Sequence, residues 1–145
     1  MAVRDFCETT GRVRYAETDQ MGVAYHSNFF IWFEVGRVEF LRQLGFAYRD
    51  MEGQDGCYIP VVDARCRFKA PVRYDDEVLI RTRLKGLRGP FIQFAYEAVR
   101  LSDGTVCAEG ETTHVVTDKQ MNIRPLPEKY CRAFEGLVSS AGLRG

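Results

Sequence analysis

The sequence predicts an α+β domain in which a curved antiparallel sheet of about five strands wraps one long central helix. Three observations carry this expectation. Five consecutive large apolar residues, Phe29 to Phe33, open a segment whose apolar side chains continue through Val38, Phe40 and Leu41 to Leu44. Later segments alternate polar and apolar residues with the period of two that marks a strand with one buried face. Between the last two of these stands Ser102-Asp103-Gly104, whose Asp-Gly pair accepts the positive φ values of a tight hairpin. Long strands with one charged and one apolar face need a cover, and an apolar helix supplies it.

In chain order, Thr9 to Glu17 reads as the first strand, with Val13 and Tyr15 in phase, and runs into a loop holding Asp19 and Gly22. Ser27 and Asn28 are good N-cap types, able to accept from the unpartnered N–H groups of a first helical turn. The run Phe29 to Phe33 leaves no polar stripe, so the front half of the helix is expected to be buried nearly all round. Charges return at Glu34, Arg37, Glu39 and Arg42, where the helix should emerge. Glu34 is expected to pair with Arg37 or with another chain. Gly45 stands where a left-handed residue ends a helix. The connector Ala47 to Gly56 is polar and without periodicity. Strands are expected over Tyr58–Lys69, Glu77–Leu87, Phe91–Leu101 and Thr105–Thr117, followed by a short helix from about Pro127 to Val138. By length this is one domain, 1–145, with a core of about 9–138 and tails at 1–8 and 139–145.

Composition excludes several classes of function. Twenty basic residues balance 20 acidic ones, so no nucleic-acid surface is expected. No apolar run approaches the roughly 18 residues of a membrane span, and the N-terminus shows no secretory h-region. Five scattered cysteines without a C-x-x-C pair read as reduced thiols, which points to a cytoplasmic protein. No glycine-rich phosphate loop is present, and His26 and His114 stand far apart without paired acids, so no metal site is expected.

The stretch from Arg14 to Arg42 carries a family resemblance, through Thr18-Asp19, Gly22-Val23, Tyr25-His26, Asn28, Phe33-Glu34, Arg37, Glu39 and Leu41-Arg42. A second block runs from Val62 to Val78. Together they resemble the acyl-CoA thioesterases of the 4-hydroxybenzoyl-CoA thioesterase branch of the hotdog superfamily, close to the Tol–Pal-associated thioesterases. The resemblance covers about residues 10–130. It implies a hotdog fold and hydrolysis of an acyl-CoA thioester to free acid and coenzyme A. No separate cofactor is implied, because coenzyme A belongs to the substrate. An acyl-carrier protein is the alternative donor, and a non-catalytic acyl-CoA-binding protein is a further alternative. Hydratases of this fold place Asp and His five apart with Asn-Pro between them, whereas here Asp19 and His26 are seven apart.

Thioester hydrolysis needs a nucleophile or general base and a group that stabilises the oxyanion. Asp19 precedes a helix start whose first N–H groups, from about His26 to Phe29, lack intrahelical partners and carry partial positive charge. From the residues alone Asp19 is also a turn carboxylate, and His26 also a first-turn residue bonded to nearby backbone. The resemblance implies that Asp19 is catalytic, attacking directly or through water, and that His26 polarises or positions the carbonyl. Gly22, Tyr25 and Asn28 would line the substrate. Tyr58 and Ile59 match a strand start whose backbone N–H joins the oxyanion site in some relatives, where glycine often stands. Arg88, with Lys85 and the strand cations Arg65, Arg67 and Lys69, would meet the phosphates, although such side chains are commonly just solvated. His114 and Glu34 read as structural. The resemblance further implies a homodimer or homotetramer, with sheets joined edge to edge and the active site between subunits.

Overall fold

Each alternating segment forms a strand that pairs with its neighbours in antiparallel fashion. The computed structural model describes residues 5–142. Strands β1 (Phe6–Arg12), β2 (Val61–Phe68), β3 (Glu77–Arg88), β4 (Phe91–Arg100) and β5 (Thr105–Val115) make one sheet in the order β1-β3-β4-β5-β2. The inner face buries Val78, Ile80, Leu84, Phe94, Tyr96 and Ala108. The outer face carries a lattice of charge, with Lys69 bonded to Glu109, Lys85 to Glu111, and Arg81 to Glu8 and Glu97. Both edges, β1 and β2, have one strand neighbour each.

Helix α1 (Ser27–Gln43) covers the inner face through Phe29, Phe33, Phe40 and Leu41. The helix approaches β3 closely at Gly36, where a methyl group would collide with the Thr82 hydroxyl and the Ile80 side chain. Phe33 stacks on Tyr96 with centroids 4.5 Å apart and planes 11° from parallel. Gly45, at φ +91°, ends the helix as expected, with Phe46 N–H reaching back to the Leu41 carbonyl at 2.9 Å. A short helix α2 (Tyr48–Gly53) follows, and α3 (Glu128–Gly142) adds Tyr130, Phe134 and Leu137 to the same core.

Several expected boundaries move. The first strand starts at Phe6 and stops at Arg12, because Glu8 is drawn to Arg81 and Cys7 into the core; Tyr15 to Glu17 is a 3-10 turn instead. The expected tail 1–8 therefore loses Phe6 to Glu8 to β1, while residues 1–4 lie outside the described residues. The connector contains α2, anchored by the fully buried Met51; one helical turn is too short to show a period. The last helix runs past Val138 to Gly142, and 143–145 lie outside the described residues. The front of α1 is not buried all round, since Ile31 is 53% and Val35 49% exposed.

Arg37 also departs from expectation. It turns inward, 8% exposed, and bonds no carboxylate among the described residues; Glu34 faces solvent. Its Nε donates to the Tyr48 hydroxyl at 3.3 Å and its Nη1 to the Tyr96 hydroxyl at 3.1 Å. The chain continues from Tyr96 to Thr112 Oγ1 at 2.6 Å, to His114 Nε2 at 2.8 Å, and from His114 Nδ1 to the Ile59 carbonyl at 2.8 Å. The direction of every proton follows from its ends. A carbonyl only accepts, so Nδ1 carries the imidazole proton; Nε2 then accepts from Thr112, whose oxygen accepts from Tyr96, whose oxygen accepts from Arg37.

Burial, reinforced by the Arg37 charge and opposed by the Ile59 hydrogen bond, pushes the pKa of His114 down to about 4. Its unfolded value is higher, so between the two the unfolded chain binds a proton that the folded chain does not. Stability is complete above the unfolded value and falls as the pH drops toward the folded one. From pH 7 to pH 5 the wild type should lose about 2 kcal/mol through this group. His114→Gln, which still offers a donor and an acceptor, should lose much less in urea titrations at the two pH values. An equal loss in both proteins would contradict the assignment.

Candidate active site

The loop before α1 closes on itself through a bridge between Thr18 and Ala24. Gly22 N–H donates to the Asp19 carbonyl at 2.9 Å, and Asp19 N–H to the Val23 carbonyl at 2.9 Å. Gly22 takes φ +82°, where a side chain would be strained. Asp19 tightens the turn with Oδ1, which accepts from Met21 N–H at 2.9 Å and from Val23 N–H at 3.4 Å. Among the described residues no donor reaches Oδ2. The carboxylate is thus a turn acceptor on one oxygen and unengaged on the other. Ala24 N–H, bonded to the Val72 carbonyl at 2.7 Å, ties the loop to the chain beyond β2.

The helix start is built differently from the expected cap. His26 is the N-cap residue, with helical φ −56° and ψ −33°, and no side chain caps the first turn. Asn28 instead sends its side-chain amide back to the Glu17 carbonyl at 2.8 Å, which also takes Tyr25 N–H at 2.8 Å. The amides of Asn28 and Phe29 bond the carbonyls of Tyr25 and His26 at 3.0 and 3.2 Å. Among the described residues the amides of His26 and Ser27 have no acceptor, which narrows the expected set of four to two.

Between this helix start and the end of β2 lies a cleft of about 560 Å³, lined by Asp19, His26, Phe29, Phe68, Lys69 and Val72. The His26 ring lies 4.3 Å from Tyr25 and meets Phe68 edge-on at 6.0 Å; Phe29 meets Phe68 edge-on at 5.3 Å. Phe68 and Tyr25 are each 47% exposed and Met21 81%, so the rim is apolar and open.

Not every expected site residue reaches this cleft within one chain. Tyr58 N–H is taken by the Thr117 carbonyl at 2.9 Å, so it is not an oxyanion donor; the bridge with Thr117, unreadable from sequence, consumes it. Ile59 is buried and its N–H has no acceptor among the described residues. At about 3.3 Å per residue Ile59 stands roughly 30 Å along β2 from Phe68. Arg88 lies exposed at the far end of β3. Of the strand cations, Arg65, Lys69 and Lys85 already hold Asp63, Glu109 and Glu111, while Arg67 and Arg88 form no salt bridge among the described residues. Burial pushes the thiols of Cys57 and Cys66 up to about 11, which keeps them neutral and poorly nucleophilic. Two features escaped the sequence: the segment Phe68 to Val72 as the opposite wall, and Glu17, a buried acid two residues before Asp19.

A single antiparallel sheet wrapped on a central helix, with an acid loop leading into that helix, defines a hotdog domain of the thioesterase class. The profile of the thioesterase-like superfamily matches residues 13–134, and the chain belongs to that superfamily. It is 37% identical over 122 residues, 84% of this chain and 85% of the other, to YneP of Bacillus subtilis (strain 168), provisionally named an acyl-CoA thioesterase. It is 30% identical over 125 residues, 86% of this chain and 92% of the other, to the acyl-CoA thioester hydrolase YbgC of Escherichia coli O6:H1. A crystal structure of a DHNA-CoA thioesterase from Staphylococcus aureus superposes with TM-score 0.88 at 29% identity, covering 94% of this chain and 95% of that one.

Proposed function

We propose that this chain hydrolyses acyl-CoA thioesters, with Asp19 as the catalytic residue. One observation carries the proposal: Asp19 and the start of α1 line the same cleft. A thioester carbonyl set against the unbonded amides of His26 and Ser27 gains hydrogen bonds that strengthen as negative charge develops on its oxygen. Asp19 then acts in one of two ways. As a nucleophile it attacks the carbonyl carbon and expels coenzyme A thiolate, leaving a mixed anhydride for water to open. As a general base it takes a proton from the water that attacks. Both routes break the C–S bond and leave a free acid and a thiol. Gly22 holds the turn, and Tyr25, His26 and Asn28 shape the helix start. Arg88, which forms no salt bridge among the described residues, is a cation available for the phosphates. An acyl group on a carrier protein's phosphopantetheine arm presents the same thioester. Within the superfamily we place the chain in the 4-hydroxybenzoyl-CoA thioesterase branch, near the Tol–Pal-associated enzymes, on the Thr18 to Arg42 motif. With its reduced thiols we assign it to the cytoplasm.

The second half of the site comes from a second copy. Edge strand β2 leaves Val61, Val62 and Phe68 about half exposed. An open, apolar strand edge is a template for pairing. Antiparallel pairing of β2 with its own copy about Arg65 sets Val62 against the partner's Phe68 and Asp63 against the partner's Arg67. It also carries the partner's Ile59 N–H toward this chain's cleft and covers the rim. A homodimer is thus the smallest active unit, and a tetramer is a pair of such dimers.

Asp19→Asn keeps size and the Oδ1 turn bonds but removes the negative charge. Its kcat on acyl-CoA should fall by about 10²–10⁴, with Kd near normal and the fold intact. Turnover at the wild-type rate would show that the site assigned here is wrong. Light scattering at micromolar concentration should show a dimer or larger species. A 16.6 kDa particle with full activity would exclude the shared site.

A further inference from the structure

Glu17 is a buried acid that the proposed hydrolysis does not use. It is 5% exposed, although Tyr15 and Met21 on either side of it stand open to water. Its Oε1 accepts from Arg14 N–H at 2.7 Å and its Oε2 from the Trp32 indole N–H at 2.8 Å. Burial alone would raise its pKa, but the hydrogen bonds from Arg14 and Trp32 outweigh burial and hold it below the usual carboxylate range. It is therefore a charged acceptor, and such bonds are stronger than neutral ones.

What this acceptor holds matters for the cleft. Trp32 meets Phe29 edge-on, with centroids 4.8 Å apart, and Phe29 is a wall of the Asp19 cleft. On its other side Trp32 lines a second, mostly apolar slot of about 250 Å³ between α1 and β1, with Val13, Ile31, Val35 and Ile80. Thr9, Thr10, Arg12 and Arg14 also line the slot, but the indole N–H bonds Glu17. The ring pair Phe29–Trp32 stands between slot and cleft, and the Glu17 bond fixes its outer member.

We propose that Trp32, bolted to Glu17, is the partition that sets acyl-chain length: it stops the acyl group at Phe29 and keeps the adjoining slot closed to longer chains. The inference rests on the reading that the Asp19 cleft binds the acyl end of the thioester. The wild type should then prefer short or compact acyl groups. Without Trp32 the Phe29 ring loses its edge-on support and can turn into the vacated space, which joins the slot to the cleft. Each methylene newly accommodated in an apolar pocket is worth about tenfold or more in selectivity.

The test is a chain-length profile of kcat/KM over acetyl-, butyryl-, hexanoyl-, octanoyl- and decanoyl-CoA. Trp32→Ala should raise the octanoyl-to-acetyl ratio by at least about tenfold. Trp32→Phe keeps a ring without its N–H, and Glu17→Gln offers one acceptor to two donors. Both should shift the ratio the same way by less, and both stay informative should Trp32→Ala fail to fold. A merely structural role would lower every chain length alike. An active wild type whose ratio is unmoved in all folded variants, or which already favours decanoyl-CoA, overturns the partition alone. A wild type that hydrolyses 4-hydroxybenzoyl-CoA but none of the panel overturns the partition alone, and one inert on the panel and on 4-hydroxybenzoyl-CoA overturns the thioesterase reading and this inference with it.

Discussion

The first-turn amides of an α-helix have no carbonyls of their own turn to meet, and a protein must cap them or aim them at something. Here the loop before α1 takes only part of the set. Tyr25 N–H goes to the Glu17 carbonyl, and Asn28 and Phe29 go to carbonyls one turn back. Among the described residues the amides of His26 and Ser27 are left over; His26 lines a cleft with Asp19, whose Oδ1 is engaged and whose Oδ2 meets no donor. A capping side chain at position 26 would take the amide of Asn28 or Phe29 and would still leave those of His26 and Ser27 open. Ser27 and Asn28 are of capping type, yet the helix starts one residue too early for Ser27 to cap, and Asn28 is drawn to Glu17.

That helix start has to be held still, and two buried polar systems do it from either side. Glu17 fastens the loop to the first turns of α1 through its carbonyl and its carboxylate. Deeper in, Arg37 joins the middle of α1 to the sheet through Tyr96, Thr112 and His114, ending on the Ile59 carbonyl. A buried cation without a carboxylate is costly to desolvate, and this one is met by two tyrosine hydroxyls whose own burial keeps them protonated. The chain is directional, so it fixes not just positions but proton placement. The close contact at Gly36 completes the seating of α1.

Much of this was legible in the sequence, and the misses have physical reasons. Period-two alternation found β2 to β5 within a few residues; in β3 to β5 it marks a face buried under the helices, whereas the apolar face expected for β2 is exposed or half-buried in the single chain. Gly45 marked the end of α1, because a left-handed residue there favours glycine. Asp19, Gly22 and His26 were found together, and they do share one corner of the fold. Glu34 was expected to pair with Arg37 or with another chain, and within the chain the pair does not form. The sheet, however, decides which face of α1 is inside, and it takes Arg37. Tyr58 N–H was lost to a bridge with Thr117, a contact between residues distant in the chain. Glu17 gave no signal at all: only the returning indole of Trp32, a full loop and a helical turn later, makes it a buried hub.

The account turns on the two unbonded amides acting on a thioester carbonyl. Difference infrared spectroscopy of a ¹³C-carbonyl acyl-CoA bound to the Asp19→Asn protein reads that interaction without turnover. The account predicts a C=O stretch shifted to lower frequency than that of the same thioester free in water, because His26 and Ser27 polarise the bond. A bound thioester whose carbonyl stretch is unshifted, or moves to higher frequency, would contradict it.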